Sequence, residues 1–146
     1  MARTSEIIGR VFKAIEQRDL PALLALQHPD IEFHWPPCLP YGGISRGAND
    51  ELQREPAKSW IGTWTPLQPT NAERRMDPRI IAASDSEVVV LWHQRAIDGA
   101  ERRLDELVLA MYEVQDDKLA RAQMFYFDPV AVRHYLADVA TAGGPA

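Results

Sequence analysis

Between Arg79 and Phe127 the chain reads as a series of strand-length apolar runs separated by turn signals. Arg79-Ile80-Ile81-Ala82-Ala83 and Glu87-Val88-Val89-Val90-Leu91-Trp92 flank a Ser84-Asp85-Ser86 turn. Asp98-Gly99 precedes the run from Leu104 to Val114, and Asp116-Asp117 precedes the run from Leu119 to Phe127. Branched and aromatic residues favour a pleated backbone, and short polar pairs tolerate the dihedrals of tight hairpins. A tight turn leaves no length for a crossover, so these four strands are predicted to form an antiparallel meander. Such a sheet twists and buries one face, and the remainder of the chain has to supply the cover.

The N-terminal third supplies it. Thr4 or Ser5 can cap a first helix, Glu6 suits its positive end, and Ile7, Ile8, Val11, Phe12 and Ile15 recur at helical spacing. Asp19 opens a second short helix with Pro21 in its first turn and Leu20, Leu23, Leu24 and Leu26 as its apolar side. Ile31-Glu32-Phe33-His34-Trp35 is a short strand that stops at Pro36-Pro37, where the ladder loses its donors. Gly42-Gly43 turns the chain, and Asn49 or Asp50 caps a third helix running towards Trp60 with a break at Pro56. Residues 63–71, with Pro66 and Pro69, read as a loop. A last helix is signed by Asp128 as cap and Pro129 at its first position, followed by Val130, Val132, Tyr135, Leu136 and Val139. The expected fold class is α+β: a single domain over residues 1–146, helices against one face of a bent sheet, with a loose tail at 141–146.

Charge and composition narrow the partners. Sixteen Lys and Arg against 21 Asp and Glu leave a net charge of −5, which argues against a nucleic-acid groove. No apolar run is long enough to span a bilayer, the opening residues lack a signal-peptide apolar region, and a lone cysteine cannot form an internal disulfide. A cytoplasmic protein with no membrane partner is expected. His28, His34, Cys38, His93 and His134 show no ligand spacing, so neither a metal nor another cofactor is expected. Cys38 with His34 lacks a third orienting group, which weighs against a thiol nucleophile.

GRVFKAIEQRDLPALLAL, HPDIEFHWPPCLPYGGISRG, EVVVLWHQR and DDKLARAQMFYFDPVAV together resemble the SnoaL-like members of the NTF2-like superfamily, among them polyketide cyclases, ketosteroid isomerase and limonene epoxide hydrolase. The likeness runs from about Thr4 to Val139. Each stretch is a packing and turn signature, so the resemblance implies a fold more than a reaction. It implies an NTF2-like cone: a curved antiparallel or mixed sheet around three to four helices, an internal apolar pocket, and often a dimer contact on the outer sheet face. A ketosteroid-isomerase site would need an Asp before the proline at the end of the first strand, where Trp35 stands. It would also need a Tyr on the first helix, where Val11 or Phe12 stands, and a second Asp on the fourth strand, where Leu107, Leu109 or Met111 stands. The Asp, Arg, Asp arrangement of limonene epoxide hydrolase falls on Trp92, Gln94 and Phe125. Neither mechanism is carried over.

The resemblance implies that the last residue before the proline, Trp35, points inward; alternation then gives an inner face of Phe33, Trp35, Trp92, Leu107, Leu109, Phe125 and Phe127, with Gln94, Asp105 and Gln123 as its polar members. A hairpin turning at Gly99 to Ala100 would place Gln94 near Asp105 on that face, where desolvation would raise the carboxyl pKa. Asp105 as acid or base with Gln94 orienting the substrate is the expected catalytic pair. A slip of one residue would bring Glu106 inward instead. His34 and His93 alternate to the outer face. The expected partner is a hydrophobic, cyclic or polyketide-like small molecule, transformed by proton transfer or merely bound, in a homodimer formed through the sheet face.

Overall fold

The computed structural model describes residues 2–141. Helix α1 (Ala2–Glu16) and helix α2 (Leu20–Ala25) lead into strands β1 (Gln27–Trp35) and β2 (Gly43–Arg46). A run of short turns follows: α3 (Asp50–Gln53), a 3-10 turn (Pro56–Lys58), α4 (Trp60–Trp64), a second 3-10 turn (Thr65–Leu67) and α5 (Asn71–Arg74). Strands β3 (Arg79–Ala83), β4 (Glu87–Ile97), β5 (Arg103–Gln115) and β6 (Lys118–Tyr126) then meander, and α6 (Pro129–Thr141) closes the chain. The tail expected at 141–146 lies outside the described residues beyond Thr141, the last residue of α6.

The six strands form one sheet in the order β2-β1-β6-β5-β4-β3. All neighbours are antiparallel except β1 and β6, so the sheet is mixed. It is curved and open, in an α+β architecture. Helix α1 lies across its concave side, where Phe12 meets Trp92 and Tyr112 edge-on at centroid distances of 6.3 and 5.9 Å. Edge-to-face contacts align the positive ring rim with the negative ring face and add to the burial of apolar area.

Local chemistry explains most boundaries. Asp19 caps α2 by accepting from the Ala22 amide, and Pro sits in its first turn. Asp116 and Asp117 both adopt positive φ, 54° and 60°, as a two-residue hairpin of matching twist requires. Thr4 does not cap α1, which begins earlier; its hydroxyl donates to the Ser84 carbonyl at 2.7 Å. Within the loop expected at 63–71, Thr70 and Glu73 make a capping box and start α5. In HWPPCLPYGG, Gly42 passes so close to Pro36 and Pro37 that a Cβ there would collide with their backbone.

One expectation fails through register. The β4–β5 loop spans residues 98–102: Asp98 Oδ1 accepts from the amides of Ala100 and Arg102, and Glu101 turns with φ of 64°. Gln94 therefore pairs with Glu106, and Arg95 with Asp105. One extra loop residue moves every β5 side chain to the opposite face. Asp105, Leu107 and Leu109 lie on the outer face, and through the β5–β6 pairing so do Gln123, Phe125 and Phe127. Val108, Ala110, Tyr112, Met124 and Tyr126 face inward and are buried.

Candidate functional site

Between the concave sheet face, α1, α2 and the short turns lies an inner cavity of about 50 Å³. It adjoins a vestibule of about 240 Å³, and the two share Ile15, Leu20, Leu23, Leu52, Trp60 and Ile61 in their walls. Phe33, Trp35 and Trp92 line the inner cavity, together with Met76, Tyr112 and Met124. Trp35 is stacked between Phe33 and Trp60, at interplanar angles of 11° and 13° and centroid distances of 6.0 and 5.7 Å. The three near-parallel ring systems pack as one aromatic stack at the cavity wall. The buried Trp35 Nε1 has no acceptor among the described residues.

Glu51, on α3, is the one carboxylate among the described residues that lines the inner cavity. Its Oε2 and Oε1 accept from the Trp60 amide at 3.1 and 3.4 Å, which ties α3 to the first turn of α4. Burial raises its pKa, and Asp50 adds to the rise, against the lowering from the Trp60 amide and Arg54. The neighbouring cation is already engaged, since Arg54 pairs with Asp50 at 2.9 Å. Glu51 forms no ion pair among the described residues. A carboxyl group that lines an aromatic cavity without a direct ion-pair partner has its charged form disfavoured relative to a solvated one.

Gln94 is buried to 1% exposure, but it holds the wall rather than facing the cavity: its Oε1 accepts from Trp60 Nε1 at 2.8 Å. Behind the same wall Tyr41 and Tyr126 share a hydrogen bond of 2.6 Å, and Trp64 Nε1 donates to Tyr41 at 3.2 Å. Burial drives both phenol pKa values upward, so these hydroxyls stay protonated and act as struts.

Asp105 sits elsewhere. Its oxygens meet His93 Nδ1 at 2.6 Å and Arg95 Nε at 3.1 Å, and Arg95 continues to Asp77 at 2.7 Å. Burial alone would lift the Asp105 pKa, but the hydrogen bonds from His93 and Arg95 outweigh it and hold the carboxylate below its usual value. Sequence alternation placed Asp105 in the pocket; the structure places it in a half-exposed outer network. Glu106, its neighbour, faces inward at the β5 end, and burial raises its pKa, but it does not line the cavity.

Leu107, Leu109, Met111, Phe125 and Phe127 stand 37, 39, 42, 47 and 82% exposed on the outer face. Gln123 lies among them, hydrogen-bonded to Arg121. His34 on β1 pairs with Glu32 at 2.9 Å on this same face. Among the described residues no group of His, Cys, Asp and Glu could hold a metal ion, and no helix is long and apolar enough to cross a membrane.

Glu51 was missed because nothing in Asn-Asp-Glu-Leu sets it apart from an ordinary helix start. The signal that could have found it is the string of aromatics at Trp60 and Trp64, which marks the α3–α4 segment as a pocket wall rather than a surface loop.

No curated protein matches the chain. Solved structures do. TerC co-crystallized with polyporic acid aligns at 20% identity with a TM-score of 0.75, covering 92% of this chain and 98% of that one. An NTF2-like protein of unknown function from Burkholderia pseudomallei aligns at 20% identity with a TM-score of 0.71, covering 91 and 97%. A protein from Xanthomonas campestris provisionally named a polyketide cyclase aligns at 14% identity with a TM-score of 0.68, covering 94 and 97%. These likenesses concern the fold. The family of the SnoaL-like domain matches residues 8–122, and the chain belongs to that family.

Proposed function

We propose that the protein is an acid/base enzyme acting without a cofactor on a hydrophobic, ring-containing small molecule of polyketide-like character, with Glu51 as the proton-transferring group. The observation that carries this is a carboxylate without an ion-pair partner among the described residues, in a largely apolar cavity walled by stacked aromatics. Proton transfer to or from a carbon or oxygen of the bound ring is the step common to cyclisation, isomerisation, dehydration and epoxide opening. Glu51 performs it, and the Phe33-Trp35-Trp60 wall holds the ring against it. The unpaired Trp35 indole N–H is a donor for a substrate oxygen on which negative charge develops. TerC, a structure of similar fold, was co-crystallized with polyporic acid.

Proton exchange tests it. Cyclic ketones such as 2-tetralone, incubated with the protein in deuterium oxide, should exchange their α-protons faster than in buffer, as followed by NMR. Glu51→Gln should lower that acceleration by about 10²- to 10⁴-fold. If the wild type binds the ketones and exchange is not accelerated, the domain is a binding module. The scarcity of polar groups around Glu51 favours that second reading.

The partner surface is proposed on a separate observation. A second copy of this chain covers the outer face: an apolar band of Leu107, Leu109, Met111, Phe125 and Phe127 between two histidine–carboxylate pairs can meet itself across a two-fold axis. Sedimentation should show a dimer at micromolar concentration and a monomer for Phe125→Glu. A monomeric wild type would remove the proposal.

A further inference from the structure

The vestibule carries a charge arrangement that the acid/base reading does not use. Arg18 lines it, just past the end of α1, in a left-handed conformation with φ of 56°. That conformation favours glycine and costs an arginine backbone energy, so its side chain is placed there at the expense of local stability. Only one of its terminal nitrogens is engaged: Nη2 donates to the carbonyls of Gln68 at 2.9 Å and Thr65 at 3.4 Å and to Gln68 Oε1 at 3.4 Å. Nε and Nη1 have no acceptor among the described residues.

A second guanidinium approaches the same point. Arg74 Nε donates to the Gln68 carbonyl at 3.0 Å and its Nη2 to Pro69 at 3.2 Å, so both arginines converge on one oxygen. Neither forms an ion pair among the described residues, whereas most arginines that meet other elements do. Burial and the neighbouring Arg74 both lower the Arg18 pKa, the response of a cation short of countercharge. Among the described residues Asp19 is the acidic group in the vestibule wall; its Oδ1 accepts from the Ala22 amide at the start of α2, and it forms no ion pair with either arginine. A part-buried guanidinium with free N–H donors, backed by a second cation, fits an anionic oxygen group.

We propose that Arg18, reinforced by Arg74, is the anion-recognition residue of the vestibule, and that the molecule taken is an amphipathic ring acid: its apolar rings against Trp60 and Trp35, its carboxylate or acidic hydroxyl at Arg18. This rests on the reading of the cavity as a small-molecule site and adds the direction in which the molecule enters. The two ends of the site have opposite electrostatic demands, since Glu51 repels an anion from the inner cavity. The acidic group therefore stays at the mouth and an uncharged ring position reaches Glu51.

The test pairs 2-naphthoate with its neutral counterpart 2-naphthamide, titrated calorimetrically into the wild type and into Arg18→Gln, Arg18→Gly and Arg74→Gln. The wild type should prefer the carboxylate. Either Arg18 substitution should cost naphthoate about tenfold or more in affinity and leave naphthamide nearly unchanged, with a smaller loss for Arg74→Gln. Arg18→Gly keeps the backbone in a conformation glycine prefers, so it folds even if the contacts to Gln68 matter for stability. In the wild type, raising salt from about 50 to about 500 mM should weaken naphthoate and spare naphthamide. Equal binding of the two probes, or equal losses for both in the Arg18 variants, overturns the anion site and leaves the cavity reading standing. If neither probe binds, both readings fall.

Discussion

The two faces of the central sheet are built from similar residues and do different work. Inward, Trp92, Val108, Ala110, Tyr112, Met124 and Tyr126 are buried under helices, and Gln94 beside them holds the Trp60 indole. Outward, Leu107, Leu109, Met111, Phe125 and Phe127 are no less apolar, yet they remain partly open to solvent. Their polar neighbours form branched ion pairs such as His93-Asp105-Arg95-Asp77. Hydrophobicity alone does not separate a core face from an interaction face. What separates them is the setting of their polar groups: few and buried on one side, networks in partial contact with water on the other.

Substitutions can break this contrast. Trp92→Ala on the inner face should cost about 3 to 5 kcal/mol of folding stability, measured by urea denaturation. Phe125→Ala on the outer face should cost far less within a single chain; a similar cost for both would erase the distinction. Gln94→Leu strips the Trp60 N–H of its acceptor and should cost about 1 to 3 kcal/mol, the penalty for a buried donor left unpaired.

Glu51→Gln should move stability the other way. A carboxyl group whose pKa is raised on folding favours the native state fully only below its unfolded pKa, and loses that contribution as pH rises through the folded value. Above the raised folded value the ionised Glu51 therefore opposes folding, and the neutral amide should then raise stability, read as a rise in melting temperature. The gain should vanish in acid. A gain that persisted unchanged to low pH would show that its charge is not the cause.

Smallest is Asp105→Asn. Its lowered pKa means it stabilises the fold above its unfolded pKa and loses that effect as pH falls through the folded value. Because the side chain is 53% exposed, solvent screening limits the loss to about 0.5 kcal/mol, visible at neutral pH and absent in acid. Proton exchange on a bound ketone should be untouched. A large loss of exchange would return Asp105 to the site and break the assignment of Glu51.

Much of the architecture could be read in advance because it depends on local chemistry. Asp19 with Pro21, Asp116-Asp117, and Asp128 with Pro129 each announce an element boundary through the dihedrals and hydrogen bonds those residues prefer, and the observed elements begin and end near them. Phe33, Trp35 and Trp92 line the cavity where alternation set them. The candidate acid could not be read in the same way. From Leu107 to Tyr112 every residue is apolar, so alternation there is silent about which set faces inward. Facing was decided by the length of the loop after Ile97, where Asp98 gathers two amides and holds residues 98–102 out of the ladder.

The sequence by itself thus determined the α+β class, the meander and its flanking helices, and the supply of aromatics for a wall. Those follow from periodicity and turn chemistry, which act over a few residues. Tertiary structure alone decided that Glu51 enters the cavity, that Asp105 leaves it, and that Arg18 and Arg74 meet at one carbonyl. These depend on strand register and on how short helices dock. A single loop residue changes the register, with no trace in the local pattern of the strand it moves.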